Sequence, residues 1–405
     1  MTIYTHTLPN GLRIIHRHYP SEVSYCGFAI NTGTRDEFPH EHGMAHFVEH
    51  MLFKGTKRRR AHHIASQMEN VGGDLNAYTT KEETFIYATF LREYFNRATA
   101  LLGDIIFNSD FSHREINRER DVILDEIDSY QDSPSELIYD DFEDLMFEGH
   151  EIGHNILGDS ASLKSFDRET VLNFVARQYK PSQMVFFSFG KTPFKKVIKA
   201  AETNFSNPPA LETLKPRVAP QITTPKTKII KRNTIQTHVM MGWKTFNMHN
   251  PDKYALYLLN NILGGGIMSS RLNSSLREKN GLVYNVESSH TLYTDTGFFS
   301  INFACDPKFK EKCIKLINKE IKKIRETELT PMQLNIAKRQ WKGQIGIASE
   351  INENKALSMG KSYLHFNKYL SLEEIFSKVD NITSQDIKNV ANNIFSSEPF
   401  ELVYE

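Results

Sequence analysis

The stretch His42-Gly43-Met44-Ala45-His46-Phe47-Val48-Glu49-His50 sets three histidines four residues apart and a glutamate just before the last. Imidazoles one helical turn apart project from one face and can share a cation, and a carboxylate three residues on from the first lies beside them. Both histidine pairs have that spacing. Pro39 and Gly43 bracket His42 and place it at or before the first turn, whereas Met44 to Phe53 is good helix former. His46 and His50 are therefore the candidate ligands.

A catalytic zinc commonly keeps three protein ligands and one water, so the third must come from another element. A second helix is predicted from Ser112, which has Glu115 three residues on as a helix-start signature. Its stripe is Ile116, Ile123, Leu124, Ile127 and Tyr130, and Glu119 and Glu126 lie on or beside that face, which is expected to be dry. A carboxylate there needs a cation, a hydrogen-bond network or a metal. Glu126 is the candidate third ligand; a salt-bridged helix border is the alternative. His150 and His154 are also four apart, but the glycines of "GHEIGHNILG" predict a loop. Zinc would lower the pKa of its water to about 7. Glu49, too far round the helix to be the preferred ligand, can take that proton and pass it to a leaving amine, which makes peptide hydrolysis the natural outcome.

At 405 residues the chain exceeds one core, and two domains are expected. Lys+Arg and Asp+Glu balance at 49 each, which removes the electrostatic footprint of a nucleic-acid binder. The run Lys57-Arg58-Arg59-Arg60 reads as a solvated loop without a role. Cys26, Cys305 and Cys313 form neither an even framework nor a C-x-x-C pair and read as reduced core thiols. No signal segment and no apolar run of about 18 residues is evident, so the expectation is a soluble protein with no membrane partner. The missing mitochondrial-type leader points to a bacterial cytoplasm.

Five prolines between residues 206 and 228 mark an extended connection. The expected division is 1–210, a linker at 211–228, and 229–405. The halves repeat. "HFVEHMLFKG" aligns with "YLLNNILGGG", and "FSHREINRERDVILDEI" with "LTPMQLNIAKRQWKGQI", where Thr330, Pro331 and Gln333 start the same helix again. In that alignment His46, Glu49, His50 and Glu126 fall on Tyr257, Asn260, Asn261 and Gln344. The second half thus reads as a copy without a metal.

"HGMAHFVEHMLFKGT", followed by "GGDLNAYTTKEETFIYAT" and "RERDVILDEI", resembles the M16 metallopeptidases, the inverzincins of the pitrilysin-like branch. That branch includes mitochondrial processing peptidase beta-type subunits and their bacterial relatives. The resemblance implies an α+β fold of two homologous domains, each an antiparallel-rich sheet with helices on one face, forming a clamshell around a chamber. It implies one Zn2+ per chain on His46, His50 and Glu126, with Glu49 as general base and Glu119 supporting the site from behind. From "SSLREKNGLVYNVES" it implies Tyr284 as donor to the developing oxyanion and Arg277 as holding substrate or ordering the site. The peptide would add as a strand along Asn76, Ala77 and Tyr78. Phe47 and Phe53 are open between apolar subsites and core. The function implied is a zinc endopeptidase acting on peptides or unfolded segments, as a homodimer. The alternative is a non-catalytic or partner-dependent processing subunit; Gly264-Gly265-Gly266 and the Arg–Tyr pair in the same chain favour self-sufficiency.

Overall fold

The computed structural model describes residues 2–206, 216–221, 224–232 and 234–405, so parts of the expected linker lie outside the described residues. The strands are β1 (Ile3–Thr7), β2 (Arg13–His18), β3 (Val23–Ile30), β4 (Asp74–Thr79), β5 (Thr84–Leu91), β6 (Met184–Gly190), β7 (Thr227–Ile230), β8 (Thr237–Thr245), β9 (Val283–Leu292), β10 (Gly297–Cys305) and β11 (Phe400–Tyr404). They form two sheets, ordered β1-β2-β6-β3-β5-β4 and β7-β11-β8-β10-β9. Each has one parallel pair, β2 with β6 and β7 with β11, and is otherwise antiparallel. Apart from β1 the two sheets share one topology. The repeat seen in the sequence is therefore a repeat of sheet order as well.

The helices are α1 (Met44–Leu52), α2 (Ala61–Glu69), α3 (Phe95–Phe107), α4 (His113–Gln131), α5 (Pro134–Met146), α6 (Ser160–Ser165), α7 (Arg168–Gln178), α8 (Phe194–Asn204), α9 (Lys253–Leu263), α10 (Lys310–Glu326), α11 (Pro331–Ala348), α12 (Asn352–Phe366), α13 (Leu372–Asp380) and α14 (Ser384–Ile394). α4 and α11 open where the two start signatures predict. Gln333 accepts the Thr330 backbone N–H at 3.0 Å, and the Thr330 hydroxyl accepts that of Gln333 at 3.3 Å.

Two compact units result. Met1–Ser129, His154–Arg217 and Ser349–Tyr369 make one; Tyr130–Gly153, Val218–Ala348 and Leu370–Glu405 make the other. They do not coincide with the contiguous stretches 1–210 and 229–405, because each half of the chain gives one helix to the other half's sheet. In the first unit one face of the sheet packs on α1, α3, α7 and α8 through residues such as Phe28, Val48 and Leu101. The opposite face, with Phe85, Val185, Phe187 and Phe189, is covered by Ala356, Met359 and Tyr363 of α12. In the second unit Ile138, Phe142 and Met146 of α5 cover Met240, Phe298 and Leu402 in the corresponding way. Covering both faces explains why every position of β6 is buried and why its sequence, MVFFSFG, is nearly unbroken apolar rather than alternating.

Candidate functional site

α1 is buried at every position except His50. Its start is fixed by backbone geometry. Gly43 has φ +93°, and a Cβ there would sit 2.6 Å from the Leu157 carbonyl oxygen, so no other residue fits without shifting the chain. Glu37 caps the helix from outside: its carboxylate accepts the N–H groups of Gly43 at 2.9 Å and Ala45 at 2.8 Å, satisfying donors that the helix itself cannot. His42 stays off the helix, its ring centroid 3.8 Å from that of His154.

His46 and His50 project from consecutive turns, with ring centroids 4.5 Å apart. α4 brings the third group. Nε2 of His46 lies 4.0 Å from Oε1 of Glu126, and Nε2 of His50 lies 3.8 Å from Oε2 of the same carboxylate. One donor atom from each residue lies within 4.8 Å of the others. Such separations are too long for hydrogen bonds but short enough for one cation to span with bonds of about 2.0–2.2 Å. The second ring nitrogen of His50 supports the same reading: Nδ1 donates to Oε1 of Glu119 at 2.8 Å, which fixes the tautomer and turns the lone pair of Nε2 toward Glu126. His46 has no such support, its Nδ1 being buried without a hydrogen-bond partner. Burial, then the neighbouring His50, push the His46 ring down to about 3, keeping it neutral and able to ligate. Burial also opposes charge on His50, but the Glu119 bond and the surrounding carboxylates raise it overall. A cation would replace the proton on Nε2 and leave the Nδ1 bond intact. The donor set fits zinc.

The two glutamates of α4 differ. Glu119 is buried, as expected of a dry face, and is also bound by the Lys54 ammonium at 2.7 Å. Burial works against its charge, yet His50 and Lys54 hold it below the usual carboxylate range. Glu126 does not meet that expectation: its side chain is 43% exposed. A stripe drawn from spacing cannot tell the centre of a face from its border, and Glu126 lies on the border.

Glu49 is buried, and burial raises its pKa, partly offset by the Thr79 hydroxyl, which donates to Oε2 at 2.5 Å. Thr79 ends β4, the edge strand, which among the described residues pairs only with β5. Along β4, Leu75 and Ala77 pack toward the α1 core while Tyr78 stacks on Phe85 across the sheet, with ring centroids 4.9 Å apart. Thr79 thus shares the face of Ala77 and meets Glu49. Asn76, Ala77 and Tyr78 lie along this edge, with Asn76 exposed and its amide donating to Asp74 at 2.6 Å.

Arg277 and Tyr284 belong to the second unit. Tyr284, at the start of β9, is 83% exposed, and the Arg277 guanidinium lies 5.7 Å from its ring centre. Phe47 is core, edge-on to Phe166, whereas Phe53 is partly buried. In the copy, the corner matching the metal donors is filled by rings: Tyr257 stacks on His290 at 4.6 Å and meets Trp341 edge-on at 6.2 Å. Asn260 is taken up by the Ser288 hydroxyl at 2.7 Å.

Sequence reasoning missed Thr79, Lys54 and Glu37. Lys54 had a signal, its spacing of four from His50, although it lies just past the end of that helix. Thr79 and Glu37 had none, because their partners are set by tertiary packing.

Comparison with known proteins gives one answer at two levels. Residues 13–160 match the family model described as Insulinase (Peptidase family M16), and residues 165–341 match the one described as Peptidase M16 inactive domain. An uncharacterised zinc protease of Rickettsia bellii is 36% identical over 392 residues, 96% of this chain and 94% of its own. The zinc protease YmxG of Bacillus subtilis, also uncharacterised, is 32% identical over 397 residues, 98% of this chain and 96% of its own. Among solved structures, a protease from Helicobacter pylori superposes with a TM-score of 0.92 at 21% identity, covering 100% of this chain and 99% of that one. A peptidase M16 inactive domain from Pseudomonas fluorescens does so with a TM-score of 0.92 at 20% identity, covering 100% and 97%. At those identities the structural likeness speaks for the fold.

Proposed function

Because the chain belongs to peptidase family M16, we propose that it is a zinc-dependent endopeptidase that hydrolyses extended peptides or unfolded segments. The observation that carries this is the approach of His46, His50 and Glu126 to one point, with Glu49 on the same helix turn and Glu119 behind His50. Zinc, when bound there, would acidify a water to about neutrality and polarise the scissile carbonyl.

The chain's own groups do the rest. Glu49 takes the water's proton on its carboxylate and returns it to the departing amine; a pKa raised by burial suits both steps, since a weaker acid is a better base. The Thr79 hydroxyl keeps one oxygen of Glu49 occupied and so presents the other. β4 offers unpaired backbone groups along Asn76, Ala77 and Tyr78 for a substrate strand, which fixes an extended peptide and rejects a folded one. For the second unit the family resemblance implies Tyr284, whose phenol is exposed, as oxyanion donor and Arg277, whose guanidinium lies 5.7 Å from that ring's centre, as the residue that holds substrate or orders the site.

The test is hydrolysis of a quenched unstructured peptide by the purified protein. Cleavage is expected to stop with a chelator and return with zinc. A protein that holds one zinc per chain, binds the peptide and never cuts it would instead be a substrate-binding subunit.

A further inference from the structure

Beyond the end of α1 lies an open cavity of about 650 Å³, walled by the last turn of that helix, the loop 54–60, the start of α2 and the first turns of α4. The resemblance assigns it nothing, and the sequence alone reads its basic loop as solvated. Its wall carries Lys54, Arg59, Arg60, Arg114 and Arg118 against only two carboxylates, Asp110 and Glu115. Lys54 is already paired with Glu119 and Arg59 with Asp104, so the positive charge left over rests on Arg60, Arg114 and Arg118. Glu115 is divided between Arg114 at 3.8 Å and Arg118 at 3.5 Å, both too long for strong hydrogen bonds. Arg60 is exposed and forms no ion pair among the described residues. Arg59 is anchored by Asp104, so the loop that presents Arg60 is held in place rather than loose. The positive end of α4 opens on the same cavity. An anionic ligand suits it.

Position says where that anion comes from. Lys54, on the cavity wall, lies 2.7 Å from Oε2 of Glu119, whose Oε1 is 2.8 Å from Nδ1 of His50, so the cavity borders the metal donors. An extended peptide advances about 3.3 Å per residue, so a side chain two or three residues from the bond over the metal donors reaches the cavity. We propose that the cavity is a subsite for an acidic side chain of the substrate, so that the preferred peptides carry Asp or Glu two or three residues from the cleaved bond. This rests on the peptidase reading above.

The experiment uses the zinc-loaded Glu49→Gln variant, which is expected to bind without cutting. It is titrated with labelled unstructured peptides that differ only in having Glu, Gln or Lys two and three residues from a central bond; the cut sites in the same peptides are mapped with the parent protein. The Glu peptide is expected to bind about tenfold more tightly than the Gln peptide, the factor of one charge-assisted contact. With Arg60→Glu and Arg114→Glu added, the order is expected to invert in favour of Lys, an outcome that misfolding cannot imitate. Equal binding of the three peptides, or an unchanged order in the charge-reversed variant, overturns the proposal. Inorganic phosphate is expected to compete with the Glu peptide; phosphate that binds while the three peptides bind alike assigns the cavity to a free anion and also overturns it. If the charge order holds but the parent cuts no peptide, the peptidase reading fails and the acidic-ligand site stands.

Discussion

Glu49 is pulled two ways: burial makes it a stronger base, while the Thr79 hydroxyl steadies its charged form. Glu49→Gln keeps the shape and removes the base. It is expected to retain zinc, measured by metal analysis, and to lose turnover by about 10²-fold or more, whereas His50→Ala loses both. Should the Gln variant cleave as fast as the parent, the role given to Glu49 is wrong. Thr79 acts through Glu49, so Thr79→Val is expected to lower kcat roughly tenfold with little change in KM, and Thr79→Ser to restore it. A loss confined to KM would instead make Thr79 a strand-pairing residue. Glu119→Gln keeps an acceptor for His50 but drops the charge shared with Lys54. It is expected to weaken zinc binding about 10-fold to 100-fold in a competition titration.

At the scale of elements, the exchange of α5 and α12 sets what holds each sheet closed. α12 is tied down by more than apolar contact: Lys361 and His365 both reach Glu83, whose side chain is 3% exposed. Burial opposes its charge, but the His365 bond and the Lys361 charge hold it below the usual carboxylate range. Glu83→Gln leaves the cation on α12 without its buried partner. A loss of about 1–2 kcal/mol in unfolding free energy is expected, since Lys361 is half exposed, with amide exchange rising first along α12. Uniform exchange throughout the first unit would mean that α12 is not held separately. On the other face of β2, His16 is buried against Ser188 and lies parallel to Phe194, with centroids 5.9 Å apart. Burial lowers it from 6.5 to about 4. The unfolded chain therefore binds a proton between pH 6.5 and 4 that the folded chain refuses, so the stability tied to neutral His16 is present above pH 6.5 and lost as pH falls toward 4. His16→Asn is expected to flatten urea-midpoint stability against pH in that window; an unchanged slope sinks this assignment.

For the molecule as a whole, the repeat is the main economy of design. The same sheet order occurs twice, and only one copy keeps the donors; in the other, Tyr257, His290 and Trp341 fill the corresponding corner. α11 shows the same divergence: it buries Ala337 alone, whereas α4 buries Ile116, Glu119, Ile123 and Ile127. Because the copy has Tyr257, Asn260, Asn261 and Gln344 where the donors and base stand, one zinc per 46.7 kDa chain is expected by metal analysis. A solution mass of twice the chain, with both copies identical, is the expected outcome for a homodimer, and a single-chain mass excludes it.

The sequence by itself determined the turn of helix that carries His46, Glu49 and His50, the start of α4, the repeat, and the absence of those donors from the second half. These are local facts, written in spacings of three and four and in capping residues, and a helix turns them into geometry wherever it sits. It also marked Glu119 and Glu126 as unusual without saying that one is buried behind His50 and the other is half exposed beside both rings. Only the tertiary structure decided that, as it decided the grip of Thr79 on Glu49, the tie from Lys54 to Glu119, and the exchange of α5 and α12. Each depends on which elements from distant parts of the chain pack together, and packing choices are made by whole faces rather than by any short run of residues.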